Sequence, residues 1–174
     1  ADVLEDMDGR IPLILDGGPC EVGLESTVVD LVGPVPRVLR PGFVTAAQIR
    51  AAAGASELDP AVLAPLPEGE RPRSPGMKYR HYAPAGEVTA FRGPGAVGEI
   101  IRRYDGADRS LILALERNVP RYGNRRVLSL GKDESAMAAA LFRALREADR
   151  LGAEQILCEC VEPEGVGLAV MNRL

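Results

Sequence analysis

Few residues of this chain can serve as imidazole or thiol groups for covalent chemistry or for binding zinc-like metals. Its 174 residues hold one histidine, His81, and three cysteines, Cys20, Cys158 and Cys160. That count excludes a disulfide framework, a four-thiolate zinc site, a three-histidine metal centre and an HExxH metalloprotease, and any histidine-based triad would have to run through His81. Cys158 and Cys160 are two apart in a strand-like run, so they share a face and read as small buried hydrophobes. The residues suited to binding are polar groups at turns. Ser26 and Thr27 open a strand-like run after Gly23-Leu24-Glu25, and Arg40 precedes Pro41-Gly42 at the end of another, where a guanidinium can meet an anion. The block SPGMKYRHYAP (Ser74 to Pro84) interleaves Tyr79, His81 and Tyr82 with Lys78 and Arg80, a pattern suited to stacking on a base while holding phosphates.

These residues need elements to position them. IPLIL (Ile11 to Leu15), STVVDLV (Ser26 to Val32) and RVLR (Arg37 to Arg40) read as strands, and a helix follows, with Thr45 and Gln48 as a capping box and Gly54 as its stop. From Leu58 to Pro84 periodicity gives way to proline, which reads as an extended connection. Beyond it, strand and helix alternate: EVTAFR, AVGEIIRRY, SLILALE, RRVLSL, a long helix with Met137, Leu141, Ala144, Leu145, Ala148 and Leu151 as its core stripe, QILCECV, and a last helix in VGLAVMNRL. Alternation of this kind predicts a mainly parallel sheet covered by helices. The expected organisation is therefore α/β throughout, with a partial domain over residues 1–57, a proline-rich linker over 58–85 and a second α/β domain over 86–174.

Composition narrows the function classes. The chain is 46% hydrophobic and 26% charged, the balance of a globular protein, and every apolar run is too short for a membrane span. Its acidic N-terminal stretch does not resemble a secretory signal, so the cytoplasm is the expected location. A formal net charge of −4 argues against general nucleic-acid binding, although Arg71, Arg73, Lys78 and Arg80 form a local basic cluster. Gly93, Gly95 and Gly98, with Glu116 at the end of the next strand, have the spacing of a dinucleotide fingerprint. Pro94 removes a donor from that turn, and a tight turn without ligand is the preferred reading.

Taken in order, LILDGGPCEVGLESTVVDL (Leu13 to Leu31), VLRPG (Val38 to Gly42) and SPGMKYRHYAP resemble the long, two-domain YrdC-type threonylcarbamoyl-AMP synthases. The resemblance covers nearly the whole chain. It implies part of a YrdC-type twisted mixed sheet followed by a Rossmann-like α/β/α domain. It also implies a reaction in which L-threonine, bicarbonate and ATP, with Mg2+, give L-threonylcarbamoyl-adenylate and pyrophosphate, the adenylate then passing to tRNA-modifying threonylcarbamoyltransferase machinery.

By motif position, Ser26 is implied to contact threonine, Arg40 to bind ATP, and Tyr79 and His81 to reach over the nucleotide from the linker. No residue is assigned a catalytic role or a metal. The family carries a Lys-x-Arg pair and a Ser-x-Asn motif upstream of the point at which this chain begins, so the chain is expected to be inactive alone. Two other readings stand beside this one. One is a non-catalytic Rossmann-like module holding a nucleotide at Gly93, Gly95, Gly98 and Glu116; the other is a tRNA-binding module using the basic cluster of the linker.

Overall fold

In a computed structural model the described residues are 2–18, 20, 22–64, 69, 72–74, 82–104 and 109–174. They form two sheets. The smaller contains β1 (Val28–Asp30), β2 (Arg37–Arg40) and β3 (Glu57–Leu58), with β1 antiparallel and β3 parallel to the central β2. Helix α1 (Asp2–Met7) precedes this sheet, and α2 (Ala46–Ala53) connects β2 to β3. The capping box expected at Thr45 and Gln48 is present, and Gly54 ends α2 with φ of 82°.

Two readings of this half are corrected. Ile11 to Leu15 forms no strand and is exposed, with Leu15 at 86%. An apolar run becomes a strand only where a neighbouring backbone accepts its ladder of hydrogen bonds, and no described strand lies beside it. The stretch after Leu58 is not wholly extended: Asp59 caps the short helix α3 (Pro60–Leu63) through a bond from the Ala61 amide, with Pro60 in the first turn.

The larger sheet has the order β4-β7-β5-β6 and is parallel throughout, as the alternation predicts. Its strands are β4 (Glu87–Phe91), β5 (Ser110–Ala114), β6 (Val127–Ser129) and β7 (Gln155–Glu159). Alternate residues of the central strands feed opposite faces. Ile112, Ala114 and Leu157 pack with Val97 and Ile100 of α4 (Ala96–Arg103), while Leu111, Leu113, Ile156 and Cys158 pack with Met137, Leu141 and Leu145 of α5 (Glu134–Arg150). Helix α6 (Gly165–Met171) lies against α5, giving three layers. The expected stripe of α5 is buried except at Leu151, which lies at the helix end beside Gly152 and is 39% exposed. Among the described residues no helix is long and apolar enough to cross a membrane.

A 3₁₀ helix, Glu116–Tyr122, was not signalled by periodicity. It is held by Glu159, 2% exposed at the end of β7, whose carboxylate accepts from the Tyr122 hydroxyl, from Asn118 Nδ2 at 2.9 Å and from the Leu115 amide at 3.2 Å. Burying a carboxylate is tolerable only with such donors.

The sheets are joined through α5 and α6. Arg146 reaches Asp6 of α1 at 2.6 Å, and its guanidinium lies 4.8 Å from the centre of the Tyr82 ring. The Tyr82 hydroxyl donates to Asp149, whose other oxygen accepts from the Ala85 amide at 2.8 Å. On the other side of residues 75–81, Arg73 pairs with Asp30 at 3.2 Å.

Burial, reinforced by the bond to Asp149, pushes the Tyr82 phenol up to about 12, while Arg146 pulls it down. The unfolded phenol titrates near 10, so in the interval above that value the unfolded state releases a proton that the folded state keeps, and stability falls as pH rises. Tyr82→Phe should therefore be less stable than the wild type at about pH 8, with the gap closing towards pH ~12, as read by urea denaturation. A gap that stays constant across this interval would contradict the assignment.

Candidate functional site

Ser26 and Arg40, singled out separately in the sequence, are in direct contact. Antiparallel pairing sets β1 beside β2 with Val28 opposite Arg40. Arg40 at the end of β2 therefore lies across from the residues that lead into β1. Its Nε donates to the Ser26 carbonyl at 3.0 Å and its Nη2 to Ser26 Oγ at 3.2 Å. Ser26 is exposed and Arg40 half-buried, so the pair lies at the surface.

The turn after Arg40 explains the pairing of the two motif blocks. Pro41 and Gly42 are buried, and Gly42 lies against the incoming strand so closely that a Cβ there would stand 2.5 Å from the Thr27 amide nitrogen and 2.7 Å from the Glu25 carbonyl. Only glycine allows that approach. The contact is fixed further by Thr27 Oγ1, which donates to the Val44 carbonyl at 2.7 Å. Sequence reasoning placed Thr27 and Gly42 in motifs without assigning them this clamping role.

A guanidinium is a permanent cation with donors only, so the Arg40–Ser26 pair contains no general base. What it offers is fixed positive charge beside a hydroxyl. Because Ser26 Oγ spends a lone pair on Arg40, its own proton is directed elsewhere, towards an acceptor. A carboxylate or phosphate oxygen suits both groups. Tyr79 and His81 lie outside the described residues, as do Lys78 and Arg80. Among the described residues no cluster of three or more His, Cys, Asp or Glu side chains is placed to hold a metal ion.

Behind Ser26 stands a residue pair that no spacing rule could reveal. Glu25 accepts from Arg173 Nε at 2.7 Å, across a separation of 148 residues. Gly23, two residues earlier, lies on the α5 backbone, where a Cβ would stand 2.6 Å from the Ala139 Cα.

The other candidate, at the glycines, is built differently. Gly93 has φ of 86° and begins the turn into α4, while Gly98 lies within α4. Glu116 starts the 3₁₀ helix, and its amide donates to the Gly131 carbonyl at 2.8 Å. In parallel sheets a dinucleotide lies beyond the carboxyl ends of the strands. Here Pro94 has no amide hydrogen to offer and the Ala96 amide is spent within the turn, donating to the Gly93 carbonyl at 3.1 Å. The geometry therefore favours the Ser26–Arg40 pair.

Comparison with known proteins bears on the family. The family model described as the threonylcarbamoyl-AMP synthase C-terminal domain matches residues 44–174, and a second model, for Sua5, YciO and YrdC and described as telomere recombination, matches residues 1–42. Threonylcarbamoyl-AMP synthase from Pyrococcus abyssi is 39% identical over 177 residues, covering 99% of this chain and 51% of that protein. The enzyme of the same name from Bacillus subtilis is 39% identical over 176 residues, covering 99% and 50%. The crystal structure of P. abyssi Sua5 complexed with L-threonine superposes with a TM-score of 0.83 at 39% identity, over 99% of this chain and 51% of that one. The chain thus spans about half the length of these relatives.

Gly42→Ala should push the Ser26 segment off Arg40 and destabilise the protein by about 1–3 kcal/mol, the usual cost of overpacking. Gly98→Ala, whose Cβ meets nothing within 4 Å, should be neutral or stabilising. Urea denaturation of both variants checks this, and a Gly42→Ala protein as stable as the wild type would refute the close contact.

Proposed function

The chain belongs to the threonylcarbamoyl-AMP synthase family, and from that membership we propose that it is the C-terminal half of an enzyme that joins L-threonine, bicarbonate and ATP into L-threonylcarbamoyl-adenylate. The observation that carries this reading is the Arg40–Ser26 pair, built where the two motif blocks meet.

The reaction needs charge and placement more than a strong base. Threonine and bicarbonate combine with loss of water to give the carbamate. A carbamate oxygen then forms a bond to the α-phosphorus of ATP, and the bond from that phosphorus to the bridging oxygen breaks, with pyrophosphate leaving. Both partners are anionic, so fixed cationic donors lower the barrier by holding them together and by meeting charge on the phosphoryl oxygens. Arg40 has the charge for the triphosphate or ribose side, and Ser26 presents a hydroxyl donor to the threonine carboxylate. Tyr79 and His81 supply an aromatic and an imidazole that would cover the nucleotide and keep water from the adenylate. Magnesium, bound with the triphosphate, would supply charge neutralisation there; the side chains assigned here are donors to the substrates and would not ligate it. The adenylate then goes to the threonylcarbamoyltransferase machinery that modifies tRNA in the cytoplasm.

The relatives are about twice as long as this chain, and the substrate groups not met by Ser26 and Arg40 call for residues from the other half. Pyrophosphate release with threonine, bicarbonate and ATP, measured on the full-length protein, tests the reading. Arg40→Ala should raise the KM for ATP about 10–100-fold, the worth of hydrogen bonds from a charged donor. An unchanged KM would remove Arg40 from the nucleotide site, and absence of threonine-dependent pyrophosphate release by the wild type would overturn the assignment.

A further inference from the structure

We propose that Arg173, two residues beyond α6, is a positioning residue for the Ser26–Arg40 site and acts through Glu25. The proposal rests on the functional reading above. The chain of contacts is short. Arg173 Nε donates to Glu25 Oε2 at 2.7 Å, Glu25 is the peptide neighbour of Ser26, and Ser26 receives Arg40 through both its carbonyl and its hydroxyl. The Arg173 side chain is only 1% exposed, so it does not reach a ligand itself. Its guanidinium is oriented by a second bond, from Nη1 to Asn172 Oδ1 at 2.8 Å, and Asn172 Nδ2 in turn donates to the Val62 carbonyl at 3.1 Å.

A surface salt bridge could flex without consequence, but this one cannot. A guanidinium removed from water must keep its carboxylate partner, so the position of α6 dictates the position of Glu25. Two backbone contacts close off the alternatives. Gly23 is pressed on α5 on one side of Glu25, and the Glu25 carbonyl and Thr27 amide are pressed on Gly42 on the other. Ser26 thus sits on a segment whose four fixed points come from α5, α6, β2 and the turn after β2. The layer built on the larger sheet thereby sets where the Ser26 hydroxyl stands relative to Arg40.

Steady-state kinetics of the full-length enzyme test this, with the KM for threonine and kcat read separately and melting recorded in parallel. Arg173→Ala should raise the KM for threonine about tenfold while kcat changes less than about threefold, since a misplaced binding group weakens ground-state binding. Arg173→Lys should recover most of that loss, and Glu25→Gln, which keeps the shape of the side chain, should reproduce the threonine defect. The Glu25→Gln/Arg173→Ala double variant should be no worse than the poorer single variant, because the two act as one unit. If Arg173→Ala does not fold, Glu25→Gln carries the same expectation alone. An unchanged KM for threonine in folded Glu25→Gln, or losses that follow only the folded fraction, would make the pair merely structural and overturn the proposal. A wild-type enzyme without threonine-dependent pyrophosphate release would instead overturn the functional reading beneath it.

Discussion

A guanidinium cannot shed its charge, so an arginine held half out of water at the end of a strand must be given oxygen acceptors. For Arg40 two of those acceptors belong to Ser26. Much of the smaller sheet follows from that constraint. β1 must pair antiparallel with β2, Val28 opposite Arg40, so that the residues leading into β1 pass the Arg40 side chain, and the turn after Arg40 must be narrow enough for the Glu25 carbonyl and Thr27 amide to lie against it. Pro41 and Gly42 meet that requirement. The two motif blocks are thus halves of one local structure, and the hydroxyl and cation that a ligand would meet are fixed before it arrives.

The larger sheet contributes by immobilising the same segment from behind. Its parallel strands and their helices make a well-packed three-layer body with the bulk of the apolar core. Gly23 on α5 and Glu25 on Arg173 connect that body to the residues leading into Ser26. The connection beyond α3 is anchored to both parts, through Arg73 on Asp30 and through Tyr82 on Asp149 and Arg146. For an alternative role of the larger sheet, nucleotide binding at Gly93, the turn offers few donors, since Pro94 has no amide hydrogen and the Ala96 amide is bonded to the Gly93 carbonyl.

Residues 87–171 were largely legible in the sequence because buried strands and amphipathic helices carry their burial as period-2 and period-3.6 patterns. The long helix α5 and the fully buried β5 are such cases. What escaped is what depends on distant partners. The 3₁₀ helix has Pro120 within it and exists because Glu159, far along the chain, accepts its donors. Ile11 to Leu15 has the composition of a strand and, among the described residues, no strand lies beside it to make it one. Of the candidate site, Ser26 and Arg40 were readable as turn-borne polar groups and as motif members. Their mutual contact was not, nor was the Glu25–Arg173 pair, since no local pattern reports a contact between residues at opposite ends of the chain.

The central claim is that Ser26 and Arg40 touch the substrates directly. The most direct measurement is a crystal structure of the full-length protein with L-threonine and an unreactive ATP analogue. The account predicts Ser26 Oγ within hydrogen-bond distance of the threonine and the Arg40 guanidinium within that distance of a phosphate or ribose oxygen, at about 2.7–3.2 Å. Both ligands bound in order elsewhere, with the Arg40–Ser26 pair left without ligand contact, would contradict it.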